Sequence, residues 1–232
     1  MVSKLKVLSA GAVKRGVAQI AAGFGKAHGI EVEVEFAPVP EVRRRIGGGE
    51  PADVVVATPA ALDEFEKAKL IVPATRGRIG RSRMGVVVHA DAQAPAITDT
   101  DSFMHVLRNA SAVVHNEASS GIYAAQLLAR LGLAAELGER IVVVKGGAAV
   151  MEYVAAHPPA AVGLAQISEV MVLIAKGCRV KLAAPLPDAI QNYTTYDAAA
   201  TAASADAKRA AALARALTDE AAKKVFADTG IS

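Results

Sequence analysis

The stretch "SAVVHNEASSGIYAAQLLARLGL", residues 111–133, joins a short apolar run to an apolar helical pattern through a loop of small polar residues. The apolar run is typical of a buried strand, and we expect a helix over Ile122–Leu131. Ser119, Ser120 and Gly121 stand directly before that helix. Small polar residues at such a junction either cap the helix or leave room for an anion at its start.

The same alternation of strand and helix runs through the rest of the chain. Strand-like runs are "LKVLSA" (5–10), "IEVEVEF" (30–36), "ADVVVAT" (52–58), "RIVVVKGG" (140–147) and "AAVGLAQ" (160–166). A helical pattern follows each of them, and after "ADVVVAT" the helix is expected to begin with Thr58 as its cap and Pro59 at its first position. This order predicts an α/β fold with a mainly parallel sheet and helices on both of its faces.

The alternation restarts after Arg83, which indicates two doubly wound α/β lobes with a ligand cleft between them. We expect lobe 1 to contain residues 1–83 and 187–232, and lobe 2 to contain residues 84–186. The strands near Met84–Ala90 and Val180–Leu186 would lie in or near the crossings. A helical tail is expected over Ser204–Asp228.

Composition excludes several classes of protein. The chain has 232 residues, of which 53% are hydrophobic, and a formal net charge of +3. This charge is too small to imply nucleic acid, and no aromatic residues interleave with the arginines at 76, 78, 81 and 83. The single cysteine, Cys178, cannot form an internal disulfide. The five histidines lack metal-ligand spacing, so we expect no metal. We also expect no cofactor.

Neither a transmembrane helix nor a secretory signal is recognisable in the sequence. No apolar run approaches the roughly 18 to 20 residues that cross a membrane. The opening "MVSKLKVLSAGA" is typical of a strand and not of a secretory signal. The chain is therefore expected to be either a mature periplasmic protein or a cytoplasmic one.

Four strand–helix junctions are candidate anion sites, because ligands of parallel α/β sheets bind where strands end and helices begin. They are Ser9–Ala12, Ala57–Pro59, Asn116–Gly121 and Lys145–Ala149. Each junction is small, polar or glycine-rich, so backbone N–H groups could reach a ligand. Each is equally compatible with ordinary helix capping.

Several segments resemble the molybdate-binding-like group of ABC-transporter solute-binding proteins over nearly the whole chain. These segments are "KVLSAGAVKRGVAQIAAGFGKAHG", "GEPADVVVATPAALDEF", "SSGIYAAQLLARLGL", "AAVGLAQISEV" and "APLPDAIQ". The resemblance implies a periplasmic-binding-protein-like fold whose two lobes clamp a small anion. It also implies an ABC-transporter permease as partner, and we expect a monomer.

The resemblance also implies ligand contacts, position by position. The serine of the first loop matches Ser9 or its neighbours Ala10 and Gly11. The donor that precedes a glycine in the second lobe matches Ser120, and the donor of the next loop matches Gly147. A tyrosine hydroxyl of molybdate binders falls at Gln166, and a second serine falls near Pro38 and Val39.

Two of the expected hydroxyls are therefore missing, and proline has no backbone N–H to donate. The sequence thus favours an organic carboxylate over molybdate. Together with the junctions, the candidate binding residues are Ser9, Ala10, Gly11, Val39, Thr58, Ser119, Ser120, Gly121, Gly147 and Gln166.

Three functions remain open from the sequence. The first is anion binding for ABC-type uptake. The second is proton-transfer isomerisation of a polycarboxylate, because the resembling branch includes aconitate isomerases; His115, Glu117 and Glu41 are candidate acid–base residues for it, and no catalytic residue is assigned. The third is ligand sensing in the cytosol.

Overall fold

The computed structural model describes residues 4–232, which form nine strands and ten α-helices. In the first part of the chain the elements are β1 (Lys4–Ala10), α1 (Lys14–His28), β2 (Glu31–Ala37), α2 (Val39–Gly47), β3 (Val54–Ala57), α3 (Pro59–Lys67) and β4 (Gly77–His89). They continue with α4 (Thr100–Arg108), β5 (Ala112–Asn116), α5 (Ser119–Arg130), α6 (Leu133–Leu137), β6 (Ile141–Val144), α7 (Gly146–Ala156), β7 (Ala161–Gln166) and α8 (Ile167–Ala175). The last elements are β8 (Val180–Pro185), β9 (Tyr193–Ala200), α9 (Ala207–Ala216) and α10 (Glu220–Ala227).

These elements belong to two compact units. Unit 1 consists of the described residues up to Arg81 together with Thr194–Ser232, and unit 2 is Ser82–Tyr193. The chain changes unit inside β4 and again at the start of β9. The segment Val180–Leu186, which contains β8, lies within unit 2.

The sheet of unit 1 has the strand order β2–β1–β3–β9. The first three strands are parallel, and β9 is antiparallel to β3, with Ala57 opposite Asp197. Helices α1, α9 and α10 pack on one face, and α2 and α3 pack on the other. Because Val54 and Val56 face one side and Val55 the other, β3 needs the continuous apolar run that its sequence supplies.

The sheet of unit 2 has the order β8–β4–β7–β5–β6. Strands β5, β6 and β7 are parallel, and β4 is antiparallel to both β7 and β8. Helices α4, α5 and α6 cover one face, and α7 and α8 cover the other. Each unit is therefore a sheet between two helical layers, with an apolar core on each face.

The sequence predicted most of these elements, including the α/β class, the buried strand β3 and the start of α3 at Pro59. It predicted no strand at β9, where Ala198, Ala199 and Ala200 are fully or almost fully buried. These alanines pack against helices on both faces of the sheet, so close packing outweighs their weak strand preference. The predicted helical tail is divided into α9 and α10.

Candidate functional site

The carboxyl ends of three parallel strands meet at one edge of the unit 2 sheet. Strands β5, β6 and β7 end at Asn116, Val144 and Gln166. Helices α5, α7 and α8 begin within three residues of these ends. The edge therefore collects three helix N-termini, whose first N–H groups have no carbonyl partner within the helix. It is the edge at which α/β sheets bind ligands.

The side chain of Asn116 organises the start of α5. Its Oδ1 accepts the backbone N–H of Ala118 at 2.9 Å and that of Gly121 at 3.2 Å, and its Nδ2 donates to Ser120 Oγ at 3.1 Å. Helix α5 begins at Ser119, so the predicted start at Ile122 is wrong. The helix starts three residues earlier because Asn116, which is outside the helix, satisfies donors of its first turn.

Two backbone donors of this turn remain available. Asn116 uses the N–H groups of Ala118 and Gly121, whereas those of Ser119 and Ser120 find no acceptor among residues 4–232. Ser119 is exposed, and Ser120 is 5% exposed. The start of α5 thus offers two adjacent N–H groups at the positive end of a helix, which is an arrangement that suits an anion.

Gly121 allows this loop to close tightly. A Cβ atom at this position would overlap the carbonyl oxygen of Asn116. The same carbonyl lies 2.9 Å from Nδ1 of His115, which is 4% exposed. The Asn116 carbonyl is therefore closely packed between Gly121 and the His115 ring, which holds the loop in this conformation.

The first turn of α8 contributes further polar groups to the edge. Gln166 is 7% exposed, and its Oε1 has no hydrogen-bond donor within residues 4–232. Ser168 Oγ lies 3.2 Å from Ser82 Oγ, and both side chains are buried. Gln166 thus carries a buried amide oxygen that is unpaired within the described residues.

The start of α7 is covered by a carboxylate of the same unit. A Cβ atom at Gly147 would overlap the carboxylate of Glu169, which belongs to the first turn of α8. The buried Oε2 of Glu169 therefore occupies the space in front of Gly147. The carboxyl group of Glu169 therefore lies close to the N-terminal end of α7.

Unit 1 has a similar edge, formed by the ends of β1, β2 and β3. Ser9 is fully buried and its Oγ donates to the carbonyl of Ala10 at 3.1 Å. Gly11 begins a short 3-10 turn that leads into α1. A Cβ atom at Gly11 would meet nothing within 4 Å, so the space beside this backbone is open.

The other two junctions of unit 1 offer fewer donors. Pro38 is the N-cap of α2, and Pro40 follows Val39, so two of these three residues lack an N–H. Thr58 is the N-cap of α3, and its hydroxyl makes no capping hydrogen bond. The N–H of Val39 and the hydroxyl of Thr58 are two groups at these positions that could donate to a ligand.

The clustered arginines of unit 1 pair with carboxylates of the same unit. The pairs are Arg43 with Glu64, Arg44 with Glu41, Arg45 with Glu35 and Glu50, and Arg76 and Arg78 with Asp197. Asp197 is buried and accepts from both Arg76 and Arg78. These arginines therefore neutralise carboxylates of unit 1. Their ion pairs give the arginines at 43–45 a structural role.

The three acid–base candidates are in different settings. The Arg44 guanidinium lowers the pKa of the Glu41 carboxyl, so this group is a poor proton acceptor near neutral pH. His115 is buried with one ring nitrogen against the Asn116 carbonyl, and Glu117 is exposed. In the described chain, no group of three His, Cys, Asp or Glu residues could hold a metal ion, and no helix is long and apolar enough to cross a membrane.

Comparison with known proteins identifies the family. A family model for bacterial extracellular solute-binding proteins matches residues 5–232. The chain belongs to this family. This solute-binding protein consists of α/β units whose parallel strands end at helix N-termini. Similar solved structures confirm the predicted periplasmic-binding-protein-like fold.

Three known proteins are similar to this chain in sequence or in fold. An aconitate isomerase from Pseudomonas sp. is 27% identical over 238 residues, covering 99% of this solute-binding protein and 88% of the relative. The substrate-binding domain of a molybdenum ABC transporter from Clostridium difficile has a TM-score of 0.79 at 19% identity, covering 98% of this chain and 97% of that one. The periplasmic molybdate-binding protein of Azotobacter vinelandii has a TM-score of 0.75 at 17% identity, covering 98% of each chain.

The sequence placed Asn116 in a candidate junction but did not predict that its side chain organises the loop, and it did not single out Glu169. A signal for Asn116 exists, because asparagine at a strand end commonly accepts N–H groups of the following turn. No comparable signal exists for Glu169, because its approach to Gly147 joins residues from two different strand–helix junctions.

Proposed function

We propose that this protein binds a small organic carboxylate at the carboxyl edge of unit 2 and delivers it to an ABC-transporter permease. The observation that carries the proposal is the pair of backbone donors at Ser119 and Ser120, held in place by Asn116. A carboxylate oxygen can accept both, and charge-assisted hydrogen bonds of this kind are the strong ones. Ser119, Ser120 and Gly121 therefore form a binding loop as well as a helix start.

Two features favour a carboxylate over molybdate. Pro38 and Val39 supply no hydroxyl on unit 1, and Gln166 supplies an amide where molybdate binders have a tyrosine. On unit 1, Ser9, Ala10, Gly11 and Thr58 are additional candidates for ligand contact.

A thermal-shift screen followed by calorimetry tests this function. The screen contains mono-, di- and tricarboxylates beside molybdate, tungstate and sulfate. A ligand at 100 times its Kd stabilises the folded protein by about 2.7 kcal/mol, which a melting curve detects. We expect a carboxylate to bind more tightly than molybdate, and submicromolar molybdate binding without carboxylate binding would contradict the proposal.

A second candidate function is isomerisation of a polycarboxylate, which the 27% identical aconitate isomerase favours. The reaction moves a proton between two carbons of the substrate and shifts the double bond, so substrate and product have the same atoms. Incubation with cis- or trans-aconitate, followed by proton NMR, distinguishes the two functions. Interconversion that depends on protein concentration identifies an enzyme, and bound but unchanged aconitate identifies a binder.

The same proposal includes a cellular compartment and an oligomeric state. Its family is extracellular, and we propose that the protein acts in the periplasm as a monomer that meets its permease there. Fractionation of cells that express the natural gene tests the compartment. Light scattering on the purified protein, with and without ligand, tests the monomer.

A further inference from the structure

Arg83 is a half-buried arginine of β4 whose side chain is unpaired within the described chain. Its guanidinium makes no hydrogen bond and no ion pair with residues 4–232. The other half-buried arginines of the described chain each bond to a carboxylate or a backbone carbonyl, and they are Arg45, Arg76, Arg140 and Arg209. A cation that loses part of its hydration and gains no partner is unfavourable. Arg83 is therefore suited to an anion that comes from outside the chain.

The register of the sheet places Arg83 at the carboxyl edge of unit 2. The next residue, Met84, is opposite Gln166, with which β7 ends. Arg83 is thus level with Ile167, the first residue of α8. Met84 packs in the core cluster on the α5 face, so the alternation of strand side chains directs Arg83 to the face that α7 and α8 cover. The guanidinium therefore belongs to the edge at which the proposed ligand binds.

The acidic residue in the first turn of α8 is not paired with Arg83. The carboxyl group of this residue, Glu169, lies against Gly147 at the start of α7, and Arg83 makes no ion pair with it. The charge of Arg83 is therefore not matched by a contact with its nearest acidic neighbour in the sheet register.

The N–H groups of Ser119 and Ser120 and the guanidinium of Arg83 belong to different parts of this edge. The serines follow β5, Arg83 is in β4, and β7 lies between these strands. Neighbouring strands are about 4.8 Å apart, so β4 and β5 are separated by about 10 Å. Helix α5 covers one face of the sheet, and Arg83 is directed to the other. Positions on different strands and different faces suit two separate anionic groups of one ligand.

We propose that the ligand is a dicarboxylate whose second carboxylate is bound by Arg83. One carboxylate accepts from the N–H groups of Ser119 and Ser120. The other accepts two parallel hydrogen bonds from the Arg83 guanidinium, whose fork matches the geometry of a carboxylate. This inference rests on the proposed binding function, and it adds the class of ligand and a residue that determines specificity. A monocarboxylate leaves the guanidinium unpaired in the complex, which costs affinity.

Diacids and their half-amides test the number of carboxylates by calorimetry on the intact protein. Succinate, glutarate and adipate are each compared with the half-amide, in which a neutral amide of nearly the same size replaces one carboxylate. We expect at least one diacid to bind about tenfold or more tightly than its half-amide, because a charged bidentate contact is lost. Equal binding within all pairs, or preference for the half-amides, overturns the inference and leaves the carboxylate function standing.

Variants of Arg83 assign the preference to this residue. Arg83→Met removes the guanidinium and should weaken binding of the preferred diacid by about tenfold or more, while binding of its half-amide changes by less than about twofold. Arg83→Lys keeps the charge without the fork, so its affinity for the diacid should be intermediate. Arg215→Met, at an exposed position of α9, is the matched control and should bind both compounds as the parent does. Without ligand, Arg83→Met should melt no lower than the parent, because no contact within the described chain is lost.

The outcomes separate this inference from the function on which it rests. If Arg83→Met binds the diacid as tightly as the parent, another group holds the second carboxylate and the inference is wrong. If this variant loses affinity for diacid and half-amide alike, or melts well below the parent, Arg83 has a different role and the inference is again wrong. If no carboxylate of the wider screen binds to the parent protein, the proposed function fails and this inference fails with it.

Discussion

Oδ1 of Asn116 accepts the backbone N–H of Gly121 across 3.2 Å, and the same atom accepts the N–H of Ala118. This arrangement divides the first donors of α5 into two that Asn116 accepts and two, at Ser119 and Ser120, that we propose bind the ligand. The loop is organised in advance, so binding need not order it.

The first prediction concerns Asn116, which is 1% exposed. Asn116→Ala leaves two N–H groups without their acceptor and should lower the free energy of unfolding by about 1–3 kcal/mol, as measured by urea denaturation. Asn116→Asp is the matched variant: it keeps the acceptor, so it should be more stable than Asn116→Ala, but its added negative charge should weaken anion binding. An Asn116→Ala variant as stable as the parent would show that the side chain does not organise the loop.

The second prediction separates ligand binding from helix capping at Ser119. Ala118 has an extended backbone, with φ −82° and ψ −173°, and proline is accepted after such a residue and at the first position of a helix. Ser119→Pro should fold normally yet weaken carboxylate binding by about tenfold or more, since one charged hydrogen bond is lost. Ser119→Ala keeps the N–H and should bind almost as the parent does. Equal affinity of both variants in calorimetry would mean that this N–H does not contact the ligand.

The third prediction tests the approach of Glu169 to Gly147. Gly147→Ala places a methyl group where the carboxylate lies, so it should destabilise the protein by about 1–3 kcal/mol through overpacking. Adding Glu169→Ala removes the obstructing carboxylate and should recover most of that loss. Thermal melts of the two single variants and the double variant form a double-mutant cycle. Strictly additive effects would contradict the contact.

The fourth prediction uses two glycines of α1 as a matched pair. A Cβ atom at Gly16 would overlap the ring of Phe226, on α10, whereas a Cβ atom at Gly23 would meet nothing within 4 Å. Gly16→Ala should therefore lower the free energy of unfolding by about 1–3 kcal/mol. Gly23→Ala should raise it by about 0.5–1 kcal/mol, because alanine is the better helix former. The reverse order in chemical denaturation would refute the packing of α10 on α1.

The fifth prediction concerns stability in acid. Hydrogen bonds from Arg45 and Lys6 lower the pKa of Glu50 from 4.5 to about 2. Because the pKa is lower in the folded state, the ion pairs stabilise the protein above pH 4.5, and this contribution is lost as the pH falls towards about 2. Glu50→Gln should melt at a lower temperature at pH 7 and lose less stability than the parent between these limits. The exposed Glu139→Gln is the control and should follow the parent curve.

The sequence by itself determined the α/β class, the order of nearly all strands and helices, and the family. Hydrophobic runs such as Val54–Ala57 and start signals such as Thr58 followed by Pro59 are local, so they can be recognised without knowledge of the fold. The same patterns placed the candidate junctions at strand ends, because every such junction has small polar residues. Residue type also indicated the missing hydroxyls at Pro38 and Gln166.

Only the tertiary structure decided which atoms at these junctions are available. Asn116 moves the start of α5 to Ser119 and uses two of its donors, and the carboxylate of Glu169 occupies the start of α7 at Gly147. Local patterns do not encode these contacts, because they depend on the positions to which three parallel strands bring their ends. The strand at β9 was missed for the same reason: its alanines are in a sheet because helices pack closely on both faces, and that requirement arises only in the folded protein.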